Sequence, residues 1–226
     1  CPFAAGNSTI GMQACPDSDG DGYPDHIGAT TGDWNNSVRS LYVNQGDSRA
    51  VAWAPDSVHL AGAADGDVTL YTIGGATIST LFSFDENVRG LEFSPNGSYL
   101  AASAYFSDFE NHSWAVVLEM NWTTKSATLL QNLSSMHTDD VPSVAWSSDG
   151  AFLFTGDGEG QLRQFSVHEN WSMVSNYSFQ PGATVWCIDV SPDGRLVAGL
   201  GGGGNLKVFW TSNGTEYMNL NHHQST

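Results

Sequence analysis

Ser143-Val144-Ala145-Trp146-Ser147-Ser148-Asp149-Gly150 decides the reading of this chain: a short apolar strand running directly into a turn of Ser, Asp and Gly. The same pattern stands at Ala50-Val51-Ala52-Trp53-Ala54-Pro55-Asp56-Ser57, at Gly90-Leu91-Glu92-Phe93-Ser94-Pro95-Asn96-Gly97 and at Cys187-Ile188-Asp189-Val190-Ser191-Pro192-Asp193-Gly194. From Pro55 to Pro95, Ser148 and Pro192 the intervals are 40, 53 and 44 residues. A recurrence of this period marks a chain built from stacked supersecondary units.

Working outward from each copy, a second strand of small residues follows the turn, as in Tyr99-Leu100-Ala101-Ala102-Ser103 and Arg195-Leu196-Val197-Ala198-Gly199. Gly/Asp turns then lead into third strands: Asp65-Gly66-Asp67 before Val68-Thr69-Leu70-Tyr71, Asp157-Gly158-Glu159-Gly160 before Gln161-Leu162-Arg163-Gln164-Phe165, and Gly203-Gly204-Asn205 before Leu206-Lys207-Val208-Phe209. Alternating segments such as Thr77–Leu81 and Met173–Tyr177 supply a fourth strand. Four short antiparallel strands joined by turns that tolerate positive φ describe a propeller blade. The expected fold is therefore all-β, with about four four-stranded antiparallel blades over residues 37–226 and a short irregular segment over residues 1–36.

These copies resemble the WD-repeat family of β-propellers over about Ser37 to Leu220. The third copy is closest. His137-Thr138-Asp139-Asp140-Val141 resembles the family's His-containing leading loop, and Asp157 matches the acidic residue of its tight turn. The resemblance implies that His137 and Asp157 form a structural brace inside the blade. No copy ends in the family's Trp-Asp pair, and the other three lack the His.

Four copies lie at the lower limit for a closed ring. Ser37-Val38-Arg39-Ser40-Leu41-Tyr42-Val43 reads as an extra outer strand, although Glu216-Tyr217-Met218-Asn219-Leu220 is a candidate for the closing position. The count favours an open arc or a fragment of a longer propeller over a small four-blade ring. Unpaired edges template association, so other copies of the chain are expected partners.

The N-terminal segment carries different chemistry. In Asp17-Ser18-Asp19-Gly20-Asp21-Gly22-Tyr23-Pro24-Asp25, alternating carboxylates and the Tyr23 carbonyl offer hard oxygen ligands suited to Ca²⁺. The expected metal ligands are Asp17, Asp19, Asp21, Tyr23 and Asp25. The register imitates an EF-hand loop, but Gly28 stands where the bidentate Glu belongs. With Cys15-Pro16-Asp17, the segment is more similar to the calcium repeats of thrombospondin type 3 modules, which implies a structural calcium site stiffening a stalk. Cys1 and Cys15 are candidates for one disulfide, worth on the order of 3 kcal/mol in a loop of about fifteen residues. A lipidated Cys1 is the rival reading. Cys187, in the apolar run Val185-Trp186-Cys187-Ile188, reads as a buried free thiol.

Nine of fifteen asparagines fall in Asn-X-Ser/Thr sites: Asn7, Asn35, Asn96, Asn111, Asn121, Asn132, Asn170, Asn176 and Asn213. About three would arise by chance, so N-linked glycans and an oxidising exterior are expected. Localisation is read as secreted or cell surface. Seven Lys+Arg against 24 Asp+Glu give a net charge of −17, which disfavours nucleic acid and anionic membrane surfaces as partners. No apolar run reaches the length of a membrane span.

No catalytic constellation is apparent in the sequence. The histidines lack metal-ligand spacing, and Gly201–Gly204 lacks the Lys-Ser/Thr and helix of a phosphate loop. The expected function is an extracellular, glycosylated, calcium-bound interaction scaffold or self-assembling surface or filament subunit that performs no chemistry. Its alternatives are a hydrolase or lyase working in a propeller channel and a carbohydrate-binding module using the aromatic insertion Tyr105–Trp114.

Overall fold

The computed structural model describes residues 48–85, 87–105, 114–179 and 182–221. The chain divides into two units, Cys1–Leu41 and Tyr42–Thr226, and the second holds every strand described below. The acidic segment, Cys1, Cys15, Ser37–Val43 and most of the aromatic insertion lie outside the described residues.

Among the described residues, sixteen strands form four separate four-stranded antiparallel sheets, each taken in chain order. Blade 1 comprises β1 (Ser48–Trp53), β2 (His59–Ala64), β3 (Asp67–Thr72) and β4 (Thr77–Ser83). Blade 2 comprises β5 (Asn87–Phe93), β6 (Tyr99–Tyr105), β7 (Trp114–Asn121) and β8 (Ser126–Asn132). Blade 3 follows with β9 (Ser143–Trp146), β10 (Phe152–Gly156), β11 (Gln161–Ser166) and β12 (Ser172–Ser178). Blade 4 is β13 (Val185–Val190), β14 (Leu196–Gly201), β15 (Asn205–Trp210) and β16 (Glu216–Asn221), so Glu216–Leu220 completes the blade formed by the three strands before it.

The repeated turn explains why each inner strand reverses where it does. In blade 2, Ser94 Oγ donates to Asn96 Oδ1, which also accepts from Ser98 N, while Ser94 Oγ accepts from Tyr99 N. Ser147 with Asp149, and Ser191 with Asp193, repeat these bonds. Such side-chain bonds to nearby backbone favour a turn over continued strand. Gly97, Gly150 and Gly194 each hold a φ of +70°, the left-handed region where a Cβ is unfavourable. Blade 1 has Ala54 in place of the serine, and there Asp56 Oδ1 accepts from both Val58 N and His59 N.

Side chains alternate across each sheet, so each blade offers one apolar face to either neighbour. On β6, Leu100, Ala102 and Ala104 join the core shared with blade 1, while Ala101 joins the core shared with blade 3. Phe165 and Leu153 face blade 2; Phe154 and Leu162 face Val185, Val197 and Phe209 of blade 4. Three apolar seams thus join blades 1 and 2, 2 and 3, and 3 and 4. Burying each large side chain contributes about 1.5–3 kcal/mol relative to exposure, which explains why the blades stack despite being separate sheets.

No corresponding core joins blade 4 back to blade 1 among the described residues. Trp53 is 58% exposed, whereas Trp146, at the same repeat position, is 4% exposed. The expectation of a buried Cys187 is corrected: its thiol is exposed. β13 is apolar in sequence, but only its Val185, Ile188 and Val190 side has a neighbouring blade to cover it. Cys187 lies on the other side.

Candidate functional site

Two polar assemblies and two apolar faces distinguish this propeller from a set of generic blades. The first assembly lies within blade 3, where the leading loop and the β10–β11 turn meet. His137 and Asp157 are both buried, with His137 Nδ1 3.4 Å from Asp157 Oδ2. Arg163 Nη1 donates to His137 Nδ1 at 2.8 Å and to the Asp157 carboxylate. Because a guanidinium can only donate, Nδ1 is the acceptor, and Nε2 carries the proton toward Thr155 Oγ1 at 3.2 Å. Burial is the largest influence on His137 and holds its pKa below the usual value, so it is neutral near pH 7.

The Asp157 carboxyl is held below its usual value: burial, the largest influence, pushes upward, but the Arg163 guanidinium and the Gln161 backbone N–H, both donating to it, outweigh that push. Around this group the loop is pinned to the turn by Gly158 N donating to Asp140 O and by Thr138 Oγ1 donating to Glu159 Oε2. The arrangement neutralises a buried cation with a buried carboxylate and leaves no open face for a substrate. Sequence reading named His137 and Asp157 but missed Arg163 and Thr155. Alternation along β10 and β11 could have placed both on the face toward blade 2.

The second assembly crosses the blade 2–blade 3 seam. The half-buried Glu92 accepts the Trp146 main-chain N–H on Oε2 at 2.8 Å, and its own carbonyl accepts the Trp146 indole N–H at 3.1 Å. Burial pushes the Glu92 carboxyl up to about 7 against the bond from Trp146, and Asp189 of blade 4 adds to the rise. Asp189 itself is exposed.

Large apolar side chains are exposed on blades 1 and 4. Val51 and Trp53 stand out on blade 1, while Trp186, Leu200, Met218 and Leu220 stand out on blade 4. Contiguous exposed apolar groups of this kind mark contact surfaces.

The structure places the acceptor asparagines unevenly. Asn96, Asn121, Asn132, Asn170, Asn176 and Asn213 are all exposed. In Asn96, Asn121, Asn132 and Asn213 the side-chain carbonyl accepts local bonds, which leaves the glycan-bearing Nδ2 outside those contacts. Asn7, Asn35 and Asn111 lie outside the described residues, as do the proposed ligands Asp17, Asp19, Asp21, Tyr23 and Asp25. Among the described residues, no group of three or more His, Cys, Asp or Glu side chains is arranged to hold a metal. Trp171, inside the Asn170 acceptor site, is buried against Trp146 and Tyr99. No helix among the described residues is long and apolar enough to cross a membrane.

Four-stranded blades stacked through apolar faces define the protein class as a β-propeller. Residues 75–114, 127–166 and 172–209 match the WD domain, G-beta repeat, together covering more than half of the chain, and the chain belongs to that family. No curated protein matches it. Each matched segment begins on or just before the outer strand of one blade and continues into the next: β4 leads into β5 and β6, β8 into blade 3, and β12 into blade 4. Propellers of this family typically act as non-enzymatic scaffolds for protein interaction.

Proposed function

We propose that the chain is an extracellular interaction scaffold, glycosylated on its exposed turns and strand edges, and preceded by a calcium-binding segment at Asp17, Asp19, Asp21, Tyr23 and Asp25. The observation that carries this reading is the contrast between sealed internal seams and the uncovered apolar faces of blades 1 and 4. The exposure of all six described acceptor asparagines supports the glycan component, and the aspartate spacing supports calcium. In the brace, His137 and Asp157 hold the leading loop against the turn and perform no chemistry.

Native mass spectrometry of the protein produced through a secretory pathway tests the whole proposal. The expected particle exceeds the 24.2 kDa chain mass by glycan and bound calcium, and carries protein partners. A bare chain without sugar, calcium or partner overturns it.

A second reading, a hydrolase or lyase working at the inner strands, draws on the raised Glu92 carboxyl and its electrostatic neighbour Asp189. Turnover of glycoside, ester or uronate substrates that is abolished by Glu92→Gln supports that reading. Absence of turnover across those substrates, or turnover unchanged by Glu92→Gln, removes it.

A further inference from the structure

The blade 2–blade 3 seam provides a template for the uncovered ends. At the position of Glu92, blades 1 to 4 carry Ala52, Glu92, Ala145 and Asp189; at the position of Trp146, they carry Trp53, Phe93, Trp146 and Val190. In the template seam the first residue of one blade faces the second residue of the next, and repeat position assigns the same pairing to the other seams. Ala52 therefore corresponds to Phe93, Glu92 to Trp146, and Ala145 to Val190. An acid accompanies Trp, and Ala accompanies a side chain without an N–H. The leftover pair is Asp189 and Trp53, an acid and a tryptophan.

We propose that blade 4 of one copy docks onto blade 1 of a second copy, with Asp189 and Trp53 repeating the clasp between Glu92 and Trp146. The proposal deepens the scaffold reading and rests on it. The backbone supports the match: Ala54 N donates to His59 O as Ser147 N donates to Phe152 O, so the Trp53 N–H points away from β2 as the Trp146 N–H points away from β10. Asp189 is shorter than Glu92 by one methylene, but the indole bond is accepted by the main-chain carbonyl and does not depend on that length.

The surrounding residues also correspond. Leu200, 44% exposed on blade 4, and Val51, 66% exposed on blade 1, occupy the positions of Ser103 and Val144 in the template seam. There a Cβ added to Gly90 would lie 3.2 Å from Val144 Cγ2. Cys187 occupies the Gly90 position and Val51 the Val144 position, so the docked copies bring Cys187 against Val51. Applied at both ends, the contact closes two four-blade arcs into a head-to-tail ring of eight blades, the upper end of the usual propeller range.

The full chain carrying Val51→Cys tests the proposal under mild oxidation. The expected product is a disulfide-linked dimer with residues 51 and 187 joined between chains, mapped by peptide mass spectrometry and lost in Val51→Cys/Cys187→Ser. Without cross-linking, Trp53→Ala is expected to raise the dimer dissociation constant at least tenfold in sedimentation; its side chain is largely exposed, so folding is retained. A 51–187 bond within one chain overturns the proposal, as does a wild-type chain that stays monomeric at tens of micromolar. Either result leaves capture of other proteins intact and so does not itself remove the scaffold reading.

Discussion

The Trp146 backbone N–H is held by the carboxylate of Glu92, a residue in the preceding blade and 54 positions earlier in the chain. The same tryptophan returns its indole N–H to the Glu92 carbonyl. This two-point clasp orders the inner strands of adjacent sheets that share no strand ladder.

A carboxyl with a folded pKa near 7, against an ordinary value of 4.5, binds protons more tightly in the folded state. Its stabilising contribution is fully present below pH 4.5 and is lost as pH rises through 7. The shift corresponds to about 3 kcal/mol at most. Urea titrations at pH 5 and pH 8 are expected to show a larger stability loss for wild type than for Glu92→Gln, whose amide still accepts the Trp146 N–H without titrating. Equal losses in the two proteins refute the assignment.

Asp157→Ala leaves the Arg163 guanidinium buried without its carboxylate. Removing one partner of a buried ion pair costs roughly 3–5 kcal/mol. The expected result is a lower denaturation midpoint, with proteolysis appearing first in the loop at Thr138–Asp140, which the brace holds against the turn. Thr155→Val removes the acceptor of the His137 Nε2 proton at a net cost of about 1 kcal/mol. A loss below about 1 kcal/mol for Asp157→Ala in chemical denaturation counts against the brace.

Acidification acts on the same cluster. His137 has a depressed pKa, so the stability associated with its neutral form is present above pH 6.5 and declines as pH falls through the lower folded value. His137→Gln is expected to reduce the stability difference between pH 7 and pH 5, measured by thermal unfolding. An unchanged difference places the acid sensitivity elsewhere.

Gly156→Ala tests how tightly the third seam is closed. The new methyl would stand 2.7 Å from Val185 Cγ1 and 2.8 Å from Ser143 Oγ. Ser143 Oγ also donates to Val185 O across that seam. Overpacking costs typically 1–3 kcal/mol, and a loss in that range is expected in a denaturant titration. A neutral result shows that blades 3 and 4 move apart easily.

The repeated turn was legible because its chemistry is local: Asn96, Asp149 and Asp193 bind backbone only two residues away, and glycine at the left-handed position completes each motif. Strand order followed from those turns. The brace was half legible, since His137 and Asp157 stand in a recognisable pattern, whereas the neighbour met by the Arg163 guanidinium depends on the register of β11. The Glu92–Trp146 clasp required knowledge of how two blades face each other. Cys187 was misread for the complementary reason: an apolar strand does not reveal that one of its sides faces no neighbouring blade.

The straddling of blades by the matched segments governs how this gene can change length. Duplicating residues 127–166 would give the existing third sheet a new outer strand and leave three fresh strands to be completed by β12. Deleting the same stretch would let blade 2 recruit β12 in place of β8. Gain or loss of one such unit thus preserves whole sheets throughout, and the molecule can evolve in steps of a full blade without passing through a frayed intermediate.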